Sequence, residues 1–165
     1  MGYIDNNLMS GEEITYRAYL HWVVFLSPIT WPLIAVLVIA FLFFGGGGRD
    51  IPYLDVSVIV GGSSILIAII HGIKVFITYK TSEFGVTNKR VLVKIGFISR
   101  KSLEVLLTKV EGIQVNQGLL GCILGYGSIA ITGTGGSKNY FNKISSPLKF
   151  RSKVQEQIAI VQESK

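Results

Sequence analysis

The residues WVVFLSPITWPLIAVLVIAFLFF, positions 22 to 44, contain no charged side chain. A helix of this length reaches roughly 34 Å at about 1.5 Å per residue, and the hydrocarbon core of a bilayer is about 30 Å thick. A second uncharged stretch, VSVIVGGSSILIAII at 56 to 70, becomes long enough if it continues to Lys74, whose amine can reach the headgroups. The sequence therefore predicts a membrane α-hairpin within residues 22–77, with two transmembrane helices at about 22–44 and 54–74.

The turn between these helices and the charges around them predict how the hairpin is oriented. Residues 45–53 are rich in glycine and include a proline, which is typical of a tight turn. Arg17 precedes the first helix and Lys74 and Lys80 lie at and after the end of the second, whereas the turn contains only Arg49. Because positively charged loops stay on the cytoplasmic side, we expect a multi-pass membrane protein with both termini cytoplasmic and the turn external.

The chain divides at Lys74 into an apolar half and a basic half. Residues 1–73 contain two basic and five acidic residues, and residues 74–165 contain 14 basic and five acidic residues, so the net charges are −3 and +9. A cleaved signal peptide is the alternative interpretation of the first helix. Its apolar run is longer than that of a signal peptide, and acidic residues replace the basic region that should precede it.

Small residues recur along one face of the second predicted helix, at Ser57, Gly61, Ser64, Ala68 and Gly72. Small side chains spaced three and four residues apart allow another helix to approach closely. The neighbour is either the first helix or, alternatively, a second copy of the chain or a partner subunit.

Prolines and histidines lie near the cytoplasmic ends of the predicted helices. Pro28 and Pro32 each remove a backbone donor, which predicts a kink or a tilted entry into the membrane, with a hinge as the alternative. His21 and His71 would form a metal or proton-relay site if they met, but the sequence offers no carboxylate near either one. We expect both histidines to be polar residues of the membrane interface.

From Glu83 onward the sequence changes to the two-residue period of half-buried strands. Apolar and polar residues alternate at 90–95, 102–107, 113–116 and 128–132. Turns are predicted at Asn88-Lys89, at Gly96, and in the glycine-rich runs 118–127 and 133–136. These signals together predict an antiparallel meander.

One amphipathic helix is predicted to close the domain, with Ser146 as its cap and Pro147 at its first position. Its largely apolar stripe consists of Leu148, Arg151, Val154, Ile158 and Val161. Lys149, Arg151 and Lys153 lie in its first two turns, an order that opposes the helix dipole at roughly 0.3–1 kcal/mol per charge. Either these basic residues face lipid headgroups or an acidic partner, or they form a solvated face without a ligand.

Residues 83–136 resemble the bacterial pleckstrin-homology (PH) domains of YdbS-like membrane proteins. The shared landmarks are Thr87-Asn88-Lys89-Arg90, Gly96-Phe97, Lys109-Val110, Gln117-Gly118-Leu119-Leu120-Gly121, Gly125 and Gly135-Gly136. The apolar helices and the final helix extend the resemblance to nearly the whole chain. It implies a PH-like fold, in which two orthogonally packed antiparallel sheets are closed by a C-terminal helix, and it implies no enzymatic activity and no defined ligand residues.

The basic half lacks the residue sets that catalysis and metal binding need. It has no histidine and five well-separated glutamates, so no catalytic group, cofactor site or metal site is predicted. The TGTGGSK run at 132–138 lacks the spacing of a phosphate-binding loop and predicts a hairpin loop. Nucleic-acid binding is not expected, because aromatic residues are not interleaved with the basic ones. Cys122, the only cysteine, is predicted to be a buried thiol, and Tyr140, Phe141 and Phe150 are predicted core residues.

The predicted organisation is an N-terminal cytoplasmic segment at 1–21, the membrane hairpin, and a PH-like domain at 79–165. The resemblance places the protein in the bacterial inner (plasma) membrane. The expected function is that of a membrane-anchored, non-enzymatic binding or scaffold module on the cytoplasmic face, which recognises a protein partner, with anionic lipid headgroups as a second candidate ligand. The alternative is an accessory subunit of a membrane protein complex, or a homo-oligomer, assembled through the small-residue stripe of the second helix.

Overall fold

A computed structural model describes residues 3–45, 53–96, 101–134, 136 and 138–163. The chain forms two compact units. The β unit consists of Met1–Trp22 and Thr78–Lys165, and the helical unit consists of Val23–Ile77.

The described residues form helices and strands in the following order. They are α1 (Tyr3–Asn6), β1 (Ile14–Ala18), α2 (Leu26–Gly45), α3 (Tyr53–Thr81), β2 (Glu83–Thr87), β3 (Arg90–Ile95), β4 (Lys101–Leu106), β5 (Val110–Asn116), α4 (Leu119–Leu124), β6 (Tyr126–Gly133), β7 (Lys138–Ser145) and α5 (Pro147–Glu163). Strands β1 to β4 form one antiparallel sheet in that order, and β5 to β7 form a second. The two antiparallel sheets and the C-terminal helix agree with the predicted β-rich domain.

Strand β1 was not predicted, because its alternation lasts only five residues and runs directly into an apolar stretch. Residues 1–21 were expected to be a segment apart from the domain at 79–165. In the structure β1 pairs along β2, with Ala18 opposite Phe84. The two long apolar helices are therefore inserted between neighbouring strands of one sheet.

The residues after β1 connect the first sheet to the second. The Tyr19 carbonyl accepts a hydrogen bond of 3.0 Å from the Ser145 amide, and the His21 amide donates one of 2.7 Å to the Lys143 carbonyl. Leu20, between them, forms a bridge with Ile144. The N-terminal segment thus closes the β unit along an edge of β7.

Aromatic rings pack between the sheets and against α5. Phe84 meets Phe141 edge to face at 6.0 Å between ring centroids, and Tyr16 of β1 meets Phe150 of α5 at 6.4 Å. Phe84 and Phe150 are completely buried, and each such side chain contributes about 1.5–3 kcal/mol to stability. The predictions for Phe141 and Phe150 are confirmed, whereas Tyr140 is 65% exposed.

Helix α5 begins at Pro147 as predicted, but its buried stripe differs from the prediction. The buried residues are Pro147, Phe150, Val154 and Gln157. Leu148 is 52% exposed, because the helix turns Phe150 toward the core in its place. Ser146 has a positive φ of 50°, so its backbone does not adopt the extended conformation of an ordinary helix cap.

The helical unit differs from the prediction at its ends. A 3-10 turn at Trp22–Phe25 precedes α2, and α3 continues to Thr81, beyond the predicted end at residue 74. Pro28 lies in the first turn of α2, where a backbone donor is not needed, and Pro32 lies inside the helix. The predicted external turn falls mainly on residues 46–52, which lie outside the described residues.

The small-residue stripe is among the less exposed parts of α3. Ser64 is buried, and a Cβ at Gly72 would lie 4.0 Å from the Pro28 Cβ. His71 Nε2 lies 3.2 Å from the Ser27 hydroxyl on the other helix. A Cβ at Gly61 would meet no described atom within 4 Å, so α2 approaches α3 more closely at Gly72 than at Gly61.

A buried ion pair attaches the N-terminal segment to the β2–β3 turn. The Glu12 carboxylate accepts hydrogen bonds from Arg90 at 2.9 and 3.0 Å and from the Thr87 hydroxyl at 2.7 Å. Its side chain is fully buried. Burial raises the pKa of Glu12, but hydrogen bonds from Arg90, the Met9 amide and Thr87 outweigh it and lower the pKa from 4.5 to about 2.

The other residues of the same turn also bind the N-terminal segment. Asn88 accepts a hydrogen bond from the Glu13 amide and donates one to the Gly11 carbonyl, both at 3.1 Å. The Lys89 amine donates to the Ser10 carbonyl at 2.8 Å. The motif Thr87 to Arg90, noted in the sequence as a landmark, is therefore a clamp for the N-terminal segment.

We predict that the β unit reaches its full stability only when it contains both of its parts. Replacing residues 23–77 by a short Gly/Ser linker should give a protein that unfolds cooperatively without detergent. The fragment 79–165 should melt at least about 15 °C lower, because the loss of Ile4, β1 and the Glu12 pair removes about 4 kcal/mol or more. Thermal unfolding followed by circular dichroism measures both, and equal midpoints would contradict the role given to β1.

We predict that Glu12→Gln destabilises the linker-joined protein by about 3 kcal/mol at pH 7, since it breaks a buried ion pair. The lowered pKa means that Glu12 stabilises the fold fully above about pH 4.5 and loses this contribution as the pH falls toward about 2. Urea unfolding should show that the difference in the free energy of unfolding between wild type and Glu12→Gln decreases from pH 7 to pH 2. Asp5→Asn, which breaks the partly exposed pair with Arg17, is the control and should cost less than about 1 kcal/mol.

Candidate functional site

The β unit has two distinct ends. The exit end is where the chain leaves for the apolar helices, and it contains Tyr19–Trp22, Tyr126 and Ser145. The far end contains the Thr87–Arg90 clamp and Leu107–Val110, whose backbones join through a hydrogen bond of 3.0 Å from the Leu107 amide to the Lys89 carbonyl.

Helix α5 runs from one end to the other. At its start the Ser146 amide donates to the Gly125 carbonyl at 2.9 Å, which places the first turn at the exit end. Near its other end Ile158 and Val161 line a small cavity together with Leu107 and Val110 at the far end. The basic first turns of α5 therefore lie toward the exit end, and Glu163 lies toward the far end.

An open groove of about 350 Å³ lies at the exit end. Its lining residues are Tyr16, Arg17, Ala18, Tyr19, Leu20, His21, Trp22, Tyr79 and Ser145. Tyr19 and Trp22 are about half exposed, at 53% and 50%. Arg17 donates to both oxygens of Asp5, and this hydrogen-bonded pair holds the pKa of Arg17 above its ordinary value. The groove thus combines aromatic rings with a guanidinium group that is already paired.

Helix α4 replaces the turn that was predicted at 118–127. A Cβ at Gly121 would lie 2.5 Å from the Tyr126 carbonyl oxygen, so this face of α4 lies against the backbone of β6. The helix ends at Gly125, whose φ of 77° is left-handed. Cys122 is exposed, so the prediction of a buried thiol was wrong, because the apolar residues around it point outward rather than into the core.

The three predicted anion-contact residues do not share one face. Lys149 and Lys153 are four residues apart and lie on the same side of α5, whereas Arg151 is turned away by about 200°. The Lys149 amine lies 5.6 Å from the centre of the Tyr16 ring, and Lys153 pairs with Glu156 at 2.7 Å. Arg151 is half-buried, and within the described chain its Nε has no hydrogen-bond partner.

Comparison with known proteins identifies the family. The model of one family, described as "Bacterial PH domain", matches residues 23–159. The chain belongs to the bacterial PH domain family. The predicted family is confirmed, and the assignment to its YdbS-like group stays a prediction. The match begins after β1, so the strand that completes the first sheet of this PH domain lies outside the matched region. No curated protein and no solved structure matches the chain.

The two histidines have separate neighbours. In the PH domain the His21 ring lies 5.4 Å from the Tyr126 ring and 5.4 Å from the Trp22 ring. His71 lies in the helical unit beside Ser27. Among the residues that the structure describes, no three His, Cys, Asp or Glu side chains are grouped to hold a metal ion. The bacterial PH domain family is generally non-catalytic, which favours binding as the function of the site.

We predict that Gly121→Ala destabilises the PH domain by about 2 kcal/mol, because its methyl group would overlap the Tyr126 carbonyl. Gly118→Ala is the matched control, since a Cβ there meets no described atom within 4 Å, and it should change stability by less than about 0.5 kcal/mol. Thermal unfolding of the two variants measures the difference. Equal midpoints would show that α4 does not pack on β6 as described.

Proposed function

We propose that this protein is anchored in the bacterial inner membrane by α2 and α3, and that its PH domain is a non-enzymatic binding module on the cytoplasmic face. The observation that supports this most strongly is the insertion of the two apolar helices between β1 and β2. A chain that crosses the membrane twice returns to the side from which it started, as the pairing of Ala18 with Phe84 demands.

The surfaces of the two helices support membrane anchoring. By length and composition both are able to cross a membrane, and only 17% and 6% of the residues in their apolar windows are buried. The core helix of a soluble protein would be mostly buried. Phe41 is 72% exposed and Val58 is 71% exposed, and a water-exposed apolar surface of this size would be costly. Lipid is the environment that removes this cost.

Groups at the exit end support a role in binding. Tyr19, Trp22 and Tyr79 are of the residue types that collect at the membrane–water interface. Lys149 adds positive charge toward the same end, where a lysine contributes about 1 kcal/mol of attraction near an anionic leaflet, and Lys153, which is paired with Glu156, lies on the same side of α5. We infer that anionic headgroups contact these lysines and that the aromatic groove holds a segment of a protein partner.

We predict that reporters fused to the N-terminus and to the C-terminus both report a cytoplasmic location. A reporter inserted between α2 and α3 should report an external one, because each apolar helix crosses the membrane once. Paired fusions to a fluorescent protein and to an export-dependent phosphatase measure this. A terminus on the outside, or a turn on the inside, would overturn the proposed anchoring.

We predict that Lys149→Glu combined with Lys153→Glu reduces the preference of the protein for anionic lipid by at least about threefold, given the attraction expected per charge. Spin-labelled phosphatidylglycerol and phosphatidylcholine, compared around the full chain in vesicles, measure this preference. Lys109→Glu at the far end is the control and should leave it unchanged. Equal preference in the double variant and the wild type would exclude these lysines as the contact.

A further inference from the structure

Helix α4 exposes aliphatic side chains without a covering element among the described residues. Leu119 is 88% exposed, Leu120 66% and Ile123 79%. All six residues of the helix, LLGCIL, are uncharged. Gly121 alone is buried, so the remaining side chains of this short helix form an apolar projection from the PH domain.

The position of α4 follows from contacts within the β unit. Tyr126 comes directly after Gly125, which ends α4, and its ring stacks on His21 at 5.4 Å. Trp22 directly follows His21 in the chain and is the first residue of the first candidate membrane span. The apolar projection therefore lies at the exit end, beside the residues that lead into the span.

We propose that α4 inserts Leu119, Leu120 and Ile123 into the bilayer that α2 and α3 cross. This inference rests on the proposed membrane anchoring. The span begins at Trp22, so the bilayer interface lies within reach of the ring that stacks with Tyr126. Apolar side chains with basic residues at their edge are the pattern of a segment that lies in the interface.

Charge favours the bilayer over a second copy of the chain as the occupant. The Ser146 amide, directly before α5, donates a hydrogen bond to the carbonyl of Gly125, which ends α4, so Lys149 in the first turn of α5 lies near α4. A two-fold contact through α4 would bring the lysines of both copies together, whereas an anionic leaflet would complement them. Insertion of α4 would attach the PH domain to the membrane at a third point, in addition to its covalent connections to α2 and α3.

Cys122 provides a probe in the middle of α4, since it is exposed and is the only cysteine of the chain. The full chain, spin-labelled at Cys122, is placed in vesicles of phosphatidylcholine and phosphatidylglycerol. We expect the label to be more accessible to oxygen than to a water-soluble nickel chelate, with a ratio at least about fivefold higher than at a control position. The control is Glu111→Cys with Cys122→Ser, an exposed site at the start of β5, about 20 Å along the strand from α4.

A label at a third position separates the possible results. A label at Phe41→Cys, in the Cys122→Ser background, reports whether α2 lies in lipid. A lipid-exposed label at residue 41 together with a water-exposed label at residue 122 would overturn the insertion of α4 alone. Water exposure at both positions would overturn the membrane anchoring itself.

A second copy of the chain as the occupant would give a different result. A label at Cys122 that is shielded from both oxygen and nickel, and that shows spin–spin broadening, would indicate protein contact and contradict lipid insertion. Replacing Leu119 and Ile123 by serine should restore nickel access at Cys122 by at least about threefold if lipid insertion is correct. These changes lie on exposed side chains, so the fold should be retained.

Discussion

The pairing of β1 with β2 is the constraint on which the rest of the structure depends. The strands are neighbours in one antiparallel sheet, yet residues 19–82 lie between them in the chain. Everything that connects them must begin and end at adjacent positions on the sheet. An antiparallel pair of helices meets this requirement, and a single crossing of a membrane would not. The fold of the PH domain and the number of apolar helices are therefore linked.

The pairing of β1 with β2 is reinforced just before the start of β1, at the far end of the β unit. The Glu12 carboxylate, with its lowered pKa, is held by Arg90 and Thr87 in a site where neither charge is left unpaired. Arg90 also donates to Glu104 of β4 at 2.6 Å, so one guanidinium connects the N-terminal segment to two other strands. Such a site stabilises the fold only while both partners are present, because removal of either one leaves an unpaired buried charge. The clamp fixes the register from which β1 then runs to the exit end.

Much of this architecture was predictable from the sequence. The apolar helices, the period-two strands after Glu83 and the proline at the start of α5 are local patterns, and all appear in the structure. Strand β1 was missed because its partner is distant in sequence, and only pairing defines it. Helix α4 was missed because its glycines resemble turn residues; Gly121 is needed instead for contact with β6. Lys149 and Lys153 lie on one face of α5 and Arg151 lies on the other. Helical geometry alone predicts this, since residues two apart lie on opposite faces.

The order of the strands also has a consequence for how the protein is made. Residues 14–18 leave the ribosome first, but their partners at 83–87 follow only after both apolar helices have been synthesised. The first sheet is thus completed late, because β1 has no partner strand until β2 has been synthesised. Closing a connection of this length costs little more entropy than closing one half as long, so the delay is a matter of timing rather than of stability. Completion of the first sheet consequently requires that both apolar helices have already been synthesised.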